Sequence, residues 1–293
     1  LVGSEMCIRD RGKLDFVSGL DPSYKDEILT PKGELQPKYK NKVTMITGPY
    51  LNTEYMGFRM DGDNTALKDK RLRQALNYGL DKDKMIKYLR NGMGTGATHG
   101  IIPAGLGGFG AKGYDYNPQK AKELVVAYKK ATGNANPKIQ MSTTASYADL
   151  AEYAQREWQK TGLTVEVDIN PPTTLTQSIA TGKASFFKAT WIADYPDAEN
   201  YLSLFYSKNF SPGGPNYTHF SSPEFDALYE AAFLETDDSK RFELYRKMDE
   251  MVMEEAPIIP LFYDKASRFT QKNVSGLGIN PLNLLVLKRV RKN

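Results

Sequence analysis

The sequence predicts an α/β protein, and three observations carry that prediction. Between residues 138 and 192 the hydrophobic pattern runs strand, helix, strand, helix, strand, an order that favours a layered fold with parallel neighbours and crossover helices. Runs rich in β-branched and aromatic residues lie at 43–60 and 258–271, with helical spacing between them. The 293 residues are 40% hydrophobic and 25% charged, enough chain for one large or two modest domains and too apolar for wholesale disorder.

The elements follow in order. Residues 14–20 (LDFVSGL) read as a short strand entering a turn at Asp21-Pro22, and the polar stretch 30–42 as an exposed loop. Residues 43–60 give two extended runs broken at Gly48-Pro49. Leu72, Ala75, Leu76 and Leu80 recur at helical spacing over 69–80, and Asp81 is the N-cap of a second helix that buries Met85, Ile86 and Leu89 and stops at Asn91-Gly92. The glycine-rich stretch 92–113 is expected to be a long irregular loop, not a packed element. Asn117-Pro118 opens a helix to about Thr132, ended by Gly133.

Strands are then expected at 138–143, 164–170 and 186–192, with helices at 145–161 and 173–181 between them. Pro196–Tyr206, Pro223–Leu234 and Asp237–Glu255 read as helices, and 258–264, 267–271 and 284–290 as strands. In the last helix Leu244, Met248, Met251 and Val252 mark a core face.

Charge and motifs exclude more than they suggest. Lys and Arg number 39 against 35 Asp and Glu, a net charge of +4, and the longest basic run is the KRVRK at the C-terminus. Nucleic acid is therefore not expected as a partner, because its electrostatic footprint is a concentrated patch. No apolar run approaches the roughly 20 residues that a spanning helix needs. Gly105-Leu-Gly-Gly-Phe-Gly110 matches G-x-G-x-x-G, yet it lies inside a loop with no helix start until Asn117, so a dinucleotide is not expected. His99 and His219 read as ordinary loop residues. No metal and no cofactor is called for. The string EMCIRD is what GAG-ATG-TGT-ATA-AGA-GAC encodes and resembles the end of a transposase adapter used in sequencing libraries. Residues 1–11, with the single Cys7, are accordingly expected to be translated adapter, and the chain proper to begin near Gly12 as part of a longer gene.

The segment WIADYPDAEN, 191–200, is where chemistry concentrates. A strand ends at Trp191-Ile192, Asp194 follows at once, and in α/β sheets ligands bind in the crevice beyond strand ends. Three readings are open: Asp194 faces a cationic ligand group; Asp194, Asp197 and Glu199 include a catalytic carboxylate pair; or Asp194 satisfies a turn while Asp197 caps the next helix.

Five segments in order resemble one family: DKRLRQALNYGLDKDKMI (69–86), YDYNPQKAKELV (114–125), WIADYPDAENYL (191–202), NYTHFSSPEFDALYEAA (216–232) and RFELYRKMDEMVMEEAPIIPLFY (241–263). They are similar to the C-terminal part of the extracytoplasmic solute-binding proteins of peptide-type ABC transporters, the oligopeptide- and dipeptide-binding family. The resemblance implies a two-lobed periplasmic-binding-protein-like fold. On that analogy 12–57 is the tail of the first lobe and the hinge, 58–265 the second ligand-binding lobe, and 266–293 the return to the first lobe.

It also implies a non-enzymatic receptor, a monomer outside the cytoplasmic membrane (periplasmic or a membrane-anchored lipoprotein), that hands peptides to the transporter's permease subunits. Asp194 then pairs with the peptide α-ammonium, the backbone of Thr190, Trp191 and Ile192 bonds the peptide main chain, and Trp191 and Tyr195 offer aromatic walls. Dipeptide-specific members hold the ligand carboxylate with an arginine in the loop after the strand matching 138–143. Here that loop reads STTASYADL, which points to a longer peptide. The alternatives are a receptor of the same fold for a sugar, haem or nickel complex, or a carboxylate-based hydrolase.

Overall fold

The computed structural model describes residues 14–20 and 24–293; the expected adapter segment with Cys7 and the turn at Asp21-Pro22 lie outside them. The strands in chain order are Phe16–Ser18 (β1), Val43–Phe58 (β2), Thr95–Gly96 (β3), Ile139–Thr143 (β4), Val165–Ile169 (β5), Phe186–Ile192 (β6) and Ile258–Gln271 (β7). They form one sheet in the order β1-β7-β2-β6-β4-β5, with β3 also on β7. β4 runs parallel to β5 and to β6, as the strand–helix alternation predicts, while β2 is antiparallel to β6 and β7. A further pair, Val274–Ser275 (β8) with Arg291–Lys292 (β9), stands apart.

The helices of eight or more residues are Lys70–Tyr78 (α1), Lys82–Leu89 (α2), Pro118–Thr132 (α3), Ala148–Gln159 (α4), Pro172–Ala180 (α5), Pro223–Leu234 (α6) and Asp238–Glu255 (α7). Five of the seven start at side chains that accept otherwise orphaned amides: Asp69, Asp81, Asn117, Ser222 and Asp237 each take a backbone N–H in the first turn. Gly133, at φ +70°, supplies the left-handed residue that closes α3.

Alternation along the strands assigns the two helical layers. Met56, Phe58, Phe186 and Ile259 point into a core with Leu72, Leu76, Val125 and Trp158. Tyr55, Phe187 and Ile258 point to the opposite face, where Tyr201, Phe225, Met248 and Val252 wait. A small third cluster, Leu29, Leu35, Tyr39, Val43 and Phe269, gathers at the far ends of β2 and β7.

Several expectations need correction. The runs at 43–60 form one strand, and Gly48 and Pro49 stay paired with Ala266 and Lys265. The expected break is instead a register shift between Pro49 and Thr53. The runs 258–264 and 267–271 are likewise continuous. Stretch 30–42 is not wholly a loop: Leu29 bridges Leu35, and Pro37–Lys40 is a short helix that buries Tyr39. Pro196–Tyr206 holds only a four-residue helix, Glu199–Leu202, followed by tighter turns, where Ser203 Oγ bonds the Asn200 carbonyl and competes with helix propagation. Residues 284–290 form no strand, and Leu284 to Leu287 are exposed, because no described strand pairs with them.

The glycine-rich stretch 92–113 is irregular yet packed. Ala97, Ile101, Ile102 and Ala111 are fully buried. Its backbone is satisfied by side chains from four elements: Lys82 Nζ donates to the Ala97 carbonyl, Thr53 Oγ1 to that of Ile101 and Tyr263 Oη to that of Gly100, while Asp249 accepts from the amides of Ile101 and Ile102. The glycines permit close approach: a Cβ on Gly107 would sit 2.2 Å from the Phe242 ring. Close packing at Gly107 and a positive φ at Gly105 and Gly110 (+101° and +112°) account for the G-x-G-x-x-G string without a phosphate.

Candidate functional site

The site begins with a strand that outruns its neighbour. β6 pairs with β2 along its whole length, from Phe186↔Phe58 to Ile192↔Asn52. On its other side β4 reaches it only at Ser142↔Phe187, and the chain then turns at Thr144. The Ala193 amide donates to the Leu51 carbonyl, so the antiparallel alternation aims the main-chain groups of Trp191 and Ala189 at β2 as well. Those of Thr190 and Ile192 face the opposite, open edge, so the expectation that the Trp191 main chain also bonds a peptide needs correction: its groups are turned to β2. Beside that edge lies a pocket of about 260 Å³ walled by Thr144, Tyr147, Leu175, Ile179, Lys188 and Thr190.

The turn after β6 is clamped by one side chain. The buried Asn200 Oδ1 accepts from Trp191 Nε1 at 2.8 Å and from the Asp194 amide at 3.3 Å. Asp194 is thereby held just beyond the strand end; its carboxylate is exposed, and no hydrogen bond or ion pair among the described residues engages it. Tyr195 and Ile192 are exposed as well, at 46% and 44%. Asp197 accepts the Glu199 amide, and Glu199 takes the hydroxyls of Tyr195 and Tyr229. Asp197 and Glu199 thus have structural partners, which leaves Asp194 as the free carboxylate of the three.

A buried charged cluster forms the floor behind this edge. Glu54 and Lys188, 4% and 5% exposed, make an ion pair. Glu54 also accepts from Asn52 Nδ2 at 3.2 Å and Tyr147 Oη at 3.3 Å. Lys188 lies over the Tyr147 ring, 4.2 Å from its centroid, and donates to the Ala189 carbonyl. Arg90 and Asp264 pair at 3.0 Å and, with Tyr147, Tyr50, Lys25 and Lys265, line a second pocket of about 280 Å³. Burial alone would raise the Glu54 pKa, but Lys188, Asn52 and Arg90 outweigh it and hold the carboxyl below its usual range. Burial lowers Lys188 against the pull of Glu54, and raises Asp264 against that of Arg90.

Comparison with known proteins bears on what such an edge serves. The family model for bacterial extracellular solute-binding proteins, family 5 Middle, matches residues 8–213. The chain belongs to that family. Among curated relatives of the family, the dipeptide-binding protein of Escherichia coli is 26% identical over 251 residues, covering 84% of this chain and 46% of its own. Heme-binding protein A of Haemophilus influenzae is 30% identical over 249 residues, covering 80% of this chain and 44% of its own. The chain therefore spans about half the length of the curated relatives it matches. Its fold is that of the Helicobacter pylori periplasmic binding protein DppA solved with the peptide STSA, with a TM-score of 0.82 at 21% identity over 98% of this chain and 54% of that one.

Of the residues named from the sequence, the structure gathers Thr190, Trp191, Ile192, Asp194 and Tyr195 at one strand end, as contiguity requires. The sequence reading missed Glu54, Lys188, Arg90, Asp264 and Tyr147. Two carried a local signal: Glu54 and Lys188 are lone charges inside strand-like apolar runs, NTEYMGF and FFKATWI, where a charge normally has a partner. His99 and His219 have separate partners, Ala111 for one and Asp61 with Ser211 for the other.

Proposed function

We propose that this family 5 chain is part of the extracytoplasmic substrate-binding component of an ABC transporter, and that it captures peptides, oligopeptides in particular, in a cleft between two lobes. The observation that carries the reading is the open edge of β6 beside a pocket, with a free carboxylate just beyond the strand end. A peptide laid along that edge gains main-chain hydrogen bonds from Thr190 and Ile192 whatever its side chains are, which is how strand addition achieves affinity without sequence preference. Its α-ammonium needs a counter-charge once water is excluded, and Asp194 supplies it. Trp191 and Tyr195 flank that anchor. In this reading residues 12–57 and 266–293 belong to a first lobe, 58–265 to the second, and β2 and β7 form the hinge. The half of β2 before Leu51 is more exposed than the half after it, which agrees with a strand leaving one core for another. Closure of the lobes follows from tighter binding to the closed state, and the closed complex is what the permease subunits receive. The relative named for dipeptide binding and the fold neighbour solved with the peptide STSA support this choice of ligand class.

The test is a cycle of ligand and residue. Asp194→Ala should weaken binding of a free-amino peptide by about 2–5 kcal/mol, the range for truncating one partner of a desolvated charge pair. N-acetylation of the peptide should cost the wild type a similar amount and the variant far less. Equal losses in both proteins, measured by calorimetry, would remove Asp194 from the anchor role.

A further inference from the structure

The pocket beside the open edge carries more information than its position. Its lining is apolar at Pro172, Leu175 and Ile179, hydroxyl-bearing at Thr144, Thr176 and Thr190, and charged at Lys188 alone. At about 260 Å³ it falls below the roughly 300–1,000 Å³ of sites that enclose whole small molecules, so it suits a single side chain. A lysine there would ordinarily select an anion. This lysine is already satisfied, by the Glu54 carboxylate, the Ala189 carbonyl and the Tyr147 ring face. Glu54 is equally occupied, one oxygen by Lys188 and the other by Asn52 and Tyr147. Neither charge offers an incoming ion a free partner, and either ion would meet a like charge within the pair.

We infer that this pocket receives an uncharged side chain of the bound peptide, and that Glu54 is the residue that makes it so, by neutralising Lys188 from within the protein. The inference rests on the peptide-binding reading above and adds the class of side chain. It makes Glu54 a specificity determinant that need not touch the ligand: its removal exposes a cation to the pocket.

The experiment uses the protein at the length of its relatives and a hexapeptide with a free amino group, Ala at every position, scanned with Leu and with Glu at positions 2 to 6. In the wild type one position should prefer Leu over Glu by at least tenfold. In Glu54→Gln that ratio should fall by tenfold or more at the same position, with other positions unchanged. The double variant Glu54→Gln/Lys188→Met removes both charges and should restore the preference for Leu, and thermal melting of each variant separates a folding defect from a binding one. If Glu54→Gln does not fold, the wild type and the double variant still decide, since both must discriminate against Glu at one shared position. Ratios that stay the same in all folded proteins, or the absence of any discriminating position, would overturn the inference while leaving peptide binding intact. Failure of every free-amino peptide to bind the wild type would overturn both.

Discussion

Lys82 offers the most direct test of how this fold handles buried charge. It opens α2 with 3% of its surface exposed, and its ammonium donates to the Ala97 carbonyl at 2.7 Å, fixing the start of the glycine-rich stretch. Burial pulls its pKa down from 10.5 to about 7, only partly opposed by Asp115 and Asp83. The sign of the consequence is fixed. Below pH 7 the lysine is charged in both folded and unfolded chains, and the folded chain carries the full cost of desolvation. Between pH 7 and 10.5 the folded chain sheds the proton while the unfolded chain keeps it, so stability rises with pH until both are neutral. At about 1.4 kcal/mol per unit, that interval is worth about 4–5 kcal/mol. Lys82→Met keeps the length and apolar bulk but cannot ionise. It leaves the Ala97 carbonyl short of a donor, a pH-independent cost of about 1–3 kcal/mol. Urea unfolding, followed by the fluorescence of the two tryptophans, of which Trp158 is fully buried, should be run on both proteins from pH 6 to pH 10. The wild type should gain on the variant by about 1.4 kcal/mol for each unit above 7. A difference that stays flat over that range would show that the buried ammonium is compensated, and the reasoning would fail.

Asp249 should show the mirror image, because burial raises its pKa from 3.8 to about 7 despite the amides of Ile101 and Ile102. The unfolded chain ionises first, so the wild type should lose about 4 kcal/mol relative to Asp249→Asn as pH rises from about 4 to 7, read from the same urea titrations. Gly107→Ala would drive a Cβ to within 2.2 Å of the Phe242 ring and should destabilise by about 1–3 kcal/mol. Gly278→Ala meets nothing within 4 Å and should shift the melting midpoint negligibly; equal effects of the two would count against the packing account of that stretch.

Elements whose signals are local were legible in the sequence. The strand Phe186–Ile192 and the helix Pro223–Leu234 fall at the expected residues, and Asp81 and Asn117 cap the helices they were expected to open. The errors share a cause, which is that tertiary partners overrode a local cue. Gly48-Pro49 looks like a break, but β7 offers a partner on both sides of it and the chain continues with a shifted register. The glycines of 92–113 look like solvent-exposed loop, yet the donors and acceptors that bury them come from Thr53, Lys82, Asp249 and Tyr263, dispersed along the chain.

The same distinction separates the two halves of the site. Asp194 stands out in the sequence because its neighbours Trp191, Ile192 and Asn200 are also its neighbours along the chain, so a motif suffices to single it out as a candidate. Glu54 and Lys188 are 134 positions apart, and nothing short of the strand register joins them. The register sets Glu54 opposite Thr190, which places Lys188 on the same face one pair along, within diagonal reach. A slip of one residue would turn Lys188 toward the opposite face, among Tyr55, Tyr201 and Ile258, where an unpaired ammonium could not remain charged. The pair therefore acts on the fold as well as on the pocket, since it penalises the alternative register of the strand whose edge is open. In a strand free on one side, where pairing alone specifies register weakly, that penalty gives a physical reason for an ion pair buried between two neighbouring strands of the sheet.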